Sequence, residues 1–161
     1  MRKGLIVNGE EIEFKKRSIG GIWFPCITES FSINFEEIKL VAISPRLALD
    51  NEMLIVTLIN IEQNFHQFSC FEFDKESIKK FERKLNLNSI RNTEWEKLSW
   101  EEHENYTTDK VVYPRELYWE NLYVQPRNFR KRIIKILKFL SIKKSISGKF
   151  TPKIAEYLKN K

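Results

Sequence analysis

Residues 31–43 read FSINFEEIKLVAI. Phe31, Ile33 and Phe35 alternate with Ser32 and Asn34, the period-two pattern of a strand with one buried face. Phe35-Glu36-Glu37-Ile38 then joins this strand to a second one, Ile38 to Ile43, which Ser44-Pro45 is expected to end because proline cannot donate to a ladder. Two short strands with a tight connection set the theme for the first half of the chain.

Upstream, Leu5-Ile6-Val7, then Asn8-Gly9, then Glu10 to Phe14 form a hairpin signal, with Asn-Gly supplying the positive φ angles of a type I′ turn. Ile12 and Phe14 alternate with Glu11 and Glu13. Gly20-Gly21 breaks the chain, and GIWFPCIT (residues 21–28) is apolar but holds Pro25, so it reads as an edge strand or carries a bulge. Downstream, MLIVTLINI (53–61) and FHQFSCFEF (65–73) flank a turn at Glu62-Gln63-Asn64. These short, closely connected runs predict an antiparallel meander of six or seven strands.

A helix follows. Asp74 is placed as its N-cap and Glu76 in its first turn. Ile78, Phe81 and Leu85 recur at helical spacing, while Lys79, Lys80, Arg83 and Lys84 fill the other face and last turn. Asn86 and Asn88 are candidate terminators. The order of elements over residues 4–88, with "FSINFEEIKLVAIS" joining two strands and "FHQFSCFEFDKESIKKFERKLNL" closing the run, resembles a bacterial pleckstrin-homology-like domain. The resemblance implies a bent antiparallel sheet closed by one helix. It implies a binding role, since many such domains bind phosphoinositides or peptides. It carries over no ligand-binding residue, and fold likeness alone does not confer function.

Residues 89–126 change character. They hold three of the four Trp and four of the five Tyr. Ser99 with Glu102 fits a capping box, and Val111 to Tyr113 reads extended before Pro114. Exposed aromatics can anchor interfaces, so Trp95, Trp100, Trp119 and Tyr123 are candidates for a partner-binding surface. Alternatively these rings fill the seam between sheet and C-terminal helices. Residues 94–123 hold eight acidic groups against three basic, which disfavours base stacking there.

The chain ends in the cationic stretch RNFRKRIIKILKFLSIKK, residues 127–144. At helical spacing Phe129, Ile133, Ile136, Leu137 and Leu140 share a stripe of about 100°. Arg127, Lys131, Lys135 and Lys138 lie opposite, with Arg130 on the flank. A helix over 127–142 is expected, followed after Gly148 by a short helix over 152–158 that Thr151 caps with Pro152 at N1. Three readings compete for the basic helix. It docks its stripe on the body, it lies on an anionic membrane, or its cations neutralise nucleic-acid phosphates. The third lacks base-reading side chains apart from Asn128 and lacks a preceding helix-turn-helix pattern.

The charge layout sharpens this. Residues 1–126 carry 16 basic and 21 acidic groups, a net of −5, and residues 127–161 carry 12 basic groups and one acidic, a net of +11. Parts of opposite sign either attract each other or serve different partners. The expected organisation is therefore a pleckstrin-homology-like unit over 1–88, an aromatic acidic segment over 89–126 that packs on the sheet, and basic C-terminal helices over 127–161.

Catalytic chemistry finds little support. His66 and Cys70 are four apart on one strand, about 13 Å along it, too far for a dyad; Cys26 and Cys70 read as small buried thiols. Glu101-Glu102-His103-Glu104 lacks the second histidine of a helical metal site, and Gly20-Gly21 lacks the rest of a phosphate loop. No cofactor is implied. The N-terminus, MRKGLIVNGEEIEF, lacks a signal-peptide core and no apolar run reaches about 18 residues. Two cysteines without a CxxC suit a reducing compartment, where the Asn105-Tyr106-Thr107 sequon has no use. The sequence is thus read as a cytoplasmic, non-enzymatic binding protein of adaptor, regulatory or immunity type. Its basic face meets a protein partner, with peripheral binding at the inner membrane face, or non-specific nucleic-acid binding, as alternatives.

Overall fold

The computed structural model describes residues 4–15, 30–48, 51–70, 75–87, 109–124 and 149–160. Over these it is an α+β structure with two antiparallel sheets. Strands β1 (Leu5–Asn8), β2 (Glu11–Phe14) and β3 (Phe31–Asn34) form the first, in that order. The second contains β4 (Ile38–Ala48), β5 (Asn51–Asn60), β6 (Phe65–Cys70) and β7 (Lys110–Tyr113), ordered β6-β5-β4-β7. Helices α1 (Lys75–Lys84) and α2 (Pro152–Lys159) complete the described elements.

This differs from the single meander expected. The chain does meander through β1-β2-β3 and through β4-β5-β6, but a 3-10 turn at Phe35–Glu37 moves it from one sheet to the other. Glu37 reaches back to accept a hydrogen bond from the Asn34 N–H at 3.3 Å, and the Phe35 N–H donates to the Glu10 carbonyl. The seventh strand, β7, comes from the aromatic segment after α1 and pairs with β4. The expected strand over 21–28 lies outside the described residues.

Two local readings also shift. The β1–β2 register pairs Asn8 with Glu11, so Gly9 and Glu10 are the turn's central residues. Positive φ falls on Gly9 alone, at +55°, which places glycine where a type II′ turn needs it rather than the expected I′. Pro45 does not end its strand, because β4 runs on to Ala48 with Pro45 opposite Leu54. Among the described residues pairing with β7 stops at Ile43 and no strand pairs with that side of β4 at Pro45, and an unpaired side is where a sheet tolerates proline.

The core has two parts, one on each face of the second sheet. On one face Val41, Ile43, Val56, Leu58 and Phe68 meet Leu5, Val7, Ile12, Phe14 and Ile33 of the first sheet, together with Ile78 and Phe81 of α1. Phe68 sits edge-on to Phe81, centroids 5.8 Å apart at 89°. On the other face Leu40, Ala42 and Ile59 meet Val111, Leu117, Leu122, Tyr123, Ile154 and Leu158. Every residue from Ile38 to Ile43 is buried, which is why IKLVAI is a continuous rather than alternating run.

Helix α1 ends as its asparagine predicts. Asn86 adopts φ +50°, its N–H donates to the Arg83 carbonyl and the Leu87 N–H donates to the Glu82 carbonyl. This is a Schellman motif with Asn at C′, and Leu87 packs on the core as its hydrophobic partner. The Asp74 cap lies outside the described residues. No helix among the described residues is long and apolar enough to cross a membrane.

Candidate functional site

The residues expected to meet an anionic partner, Arg127, Arg130, Lys131, Lys135 and Lys138, lie outside the described residues, as do Trp95, Trp100, Cys26 and the Glu101–Glu104 cluster. The structure does describe how the stretch that carries the cations is anchored. Tyr123 and Phe150 face each other in an antiparallel bridge, and the Val124 N–H donates to the Lys149 carbonyl at 2.8 Å. One step further the Thr151 N–H donates to the Leu122 carbonyl, and the Thr151 hydroxyl donates to the Asn121 carbonyl at 3.1 Å. The two described ends that flank residues 125–148 are therefore joined to each other at one point.

The anchor is aromatic. Phe150 is sandwiched between Tyr123, at 5.6 Å and 7°, and Phe65 of β6, at 5.8 Å and 10°. Tyr123, expected among the partner-facing aromatics, is corrected to a core side chain: it is 2% exposed and fills the seam between the second sheet and α2. Trp119 is half-buried. It packs against the inter-sheet core, with φ +66°, and its N–H donates to the Val111 carbonyl at 2.7 Å. Among the described aromatic residues its neighbour Tyr118, centroids 5.6 Å away, is the exposed one.

Helix α2 starts where Thr151-Pro152 predicts, but the Thr151 hydroxyl serves the anchor instead of capping the helix. Ile154 and Leu158 are buried, and the last turn is met from below by Lys39. Lys39 occupies the irregularity between Ile38 and Leu40 in the β4 register and is 5% exposed. Its Nζ donates to the Leu158 carbonyl at 2.8 Å and lies 6.0 Å from the Tyr157 ring centroid. Gln63, at φ +62° in the β5–β6 turn, donates to the same carbonyl through Nε2 at 3.3 Å. A cation and an amide donor at a helix C-terminus complement its dipole. The Tyr157 hydroxyl donates to the Lys39 carbonyl at 3.4 Å, and its pKa is raised by burial first, then by Glu116 and Tyr113. Sequence reading passed over Lys39; the signal was a lone lysine inside an otherwise apolar strand.

His66 is half-buried against Phe31, ring centroids 5.0 Å apart. Burial lowers its pKa from 6.5, with Glu37 offsetting part of the effect. It pairs across β5 with Leu58, while Cys70 pairs with Leu54 at the far end of the strand. Among the described residues no three His, Cys, Asp or Glu side chains converge on a metal-sized site. Comparison of the chain with protein-family models, with curated proteins and with solved structures gave no match in any of the three.

Proposed function

We propose that the chain is a non-enzymatic binding protein of the cytosol, of adaptor, regulatory or immunity type, whose cationic stretch over 127–144 engages an acidic protein partner. The observation that carries this reading is the Tyr123–Phe150 bridge with its Val124–Lys149 hydrogen bond. It converts a terminal basic tail into a segment held at both ends against a body of opposite charge. Holding both ends lowers the entropy lost when the segment binds, and a concentrated positive field raises the rate of encounter with an anionic surface.

The scaffold is proposed to be pleckstrin-homology-like over 4–88. Two consecutive antiparallel meanders followed by α1, with Ile78 and Phe81 in the inter-sheet core, support this. The addition of β7 beside β4 is a departure that lies beyond that unit.

The test reverses Arg127, Arg130, Lys131, Lys135 and Lys138 to Glu in the full chain. Binding is read against a Glu-rich peptide, phosphatidylserine vesicles and duplex DNA across a salt series. The parent should bind the acidic peptide in a salt-sensitive way and the variant should lose it. Equal binding by both proteins, or parent binding to vesicles or duplex alone, rejects the reading.

A further inference from the structure

The outward face of α1 is cationic at five of its six exposed long side chains. Lys75, Lys79, Lys80, Arg83 and Lys84 share that face with Glu76, while Ile78, Phe81 and Glu82 point inward. Helical spacing sets like charges beside each other at Lys75/Lys79, Lys79/Arg83 and Lys80/Lys84, four apart, and at Lys80/Arg83, three apart. Each such pair destabilises a helix. Lys75 also opens the helix, where the macrodipole disfavours a cation. Among the described residues two of the five find a carboxylate, Lys79 at Glu76, 3.4 Å away, and Lys84 at Glu10. Lys75, Lys80 and Arg83 make no ion pair among the described residues.

A self-repelling helix face within a part of the chain that is net negative works against stability. We infer that this face of α1, centred on Lys75, Lys80 and Arg83, is a docking surface for a short acidic segment of a protein partner, distinct from the C-terminal cationic stretch and independent of it. Charge complementarity sets the sign of the partner, and the surroundings set its size. The helix is about 15 Å long. At its C-terminal end stand Glu10, whose carboxylate holds Lys84, and the turn bearing the exposed Glu36, which the Phe35–Phe81 contact keeps beside α1. A duplex or a bilayer extends past ten residues and meets those carboxylates. The face offers no aromatic or amide side chain to stack on or read bases and no apolar side chain to insert into lipid. A short acidic peptide fits within it.

The experiment titrates a Glu-rich peptide into the isotopically labelled full chain and follows amide shifts, comparing the parent with the triple variant Lys75→Gln, Lys80→Gln, Arg83→Gln. The parent should show shifts along 75–84. The variant should bind roughly tenfold more weakly at low salt yet melt no lower than the parent, because it relieves repulsion; a purely structural face would melt lower. Single Lys80→Ala and Arg83→Ala variants keep the test open if the triple variant misfolds, each giving a smaller loss in the same direction. Unchanged affinity in these variants, shifts absent from 75–84, or preferential binding of duplex DNA or phosphatidylserine vesicles overturns the inference. Loss of binding in the C-terminal reversal variant alone overturns it too while leaving the proposed function standing.

Discussion

The Nζ of Lys39 donates to the carbonyl oxygen of Leu158, at 2.8 Å, across 119 residues of sequence. It joins the middle of the second sheet to the end of the last described helix. A buried ammonium is tolerated only with partners. Here it has a carbonyl at the negative end of a helix and an aromatic ring at 6.0 Å.

Lys39→Ala should therefore lower stability by about 1.5–3 kcal/mol, the range for a hydrogen bond to a charged group. Lys39→Met keeps the aliphatic stem and should cost less. Urea unfolding monitored by tryptophan fluorescence reads both. An alanine variant as stable as the parent would show that α2 is held by its apolar face alone.

Phe150→Ala should lower stability, by less than the about 3–5 kcal/mol of a fully buried phenylalanine, because the half-buried ring is stacked on Tyr123 and Phe65. A double-mutant cycle of Phe150→Leu with Tyr123→Leu should return a coupling of about 0.5–1.5 kcal/mol for the stacked pair. Additive losses in that cycle would contradict the stack.

Asn86 holds φ +50° at the end of α1. Asn86→Gly should be neutral to stabilising, while Asn86→Val should destabilise by about 1–2 kcal/mol, since a β-branched residue resists the left-handed region. Thermal melts of the two variants check the sign. The opposite order would mean that the side chain, not the backbone angle, is what the position demands.

Burial holds His66 below its ordinary 6.5 in the folded chain. The unfolded chain then binds the proton more readily, so the stability associated with neutral His66 is full above 6.5 and is lost as pH falls through 6.5 toward the folded value. His66→Gln should flatten the pH dependence of stability in that window, measured by urea unfolding at a series of pH values. Parallel curves for parent and variant would place the titration elsewhere.

Local features were legible. Asn86, the alternation around Ile33, the β5–β6 turn and Thr151-Pro152 each announce themselves within a few residues, because caps, turns and pleats are short-range. What was not legible depends on partners far away in sequence. Pro45 reads as a strand end unless one knows that β7 stops at Ile43. Tyr123 reads as an interface ring unless Phe150 is seen stacked on it. The split into two sheets depends on a three-residue turn inside FSINFEEIKLVAI, although the unbroken burial of Ile38–Ile43 did leave a trace: an antiparallel strand apolar at successive positions has something on both faces. The lysine-rich face of α1 was visible as letters, but its significance depends on which cations find carboxylates in space.

The meeting of Val124 with Lys149 has one more consequence. Suppose the backbone were severed once between those residues, where lysine and arginine offer many sites to a trypsin-like protease. Two pieces would result, a long one ending at the cut and a shorter C-terminal one containing α2. The bridge, the ring stack and the Lys39 hydrogen bond would still join them, none of these contacts requiring the intervening chain. The protein is in this sense a receptor already occupied by its own C-terminal peptide, and a nicked or co-expressed pair of fragments should reassemble into the same fold.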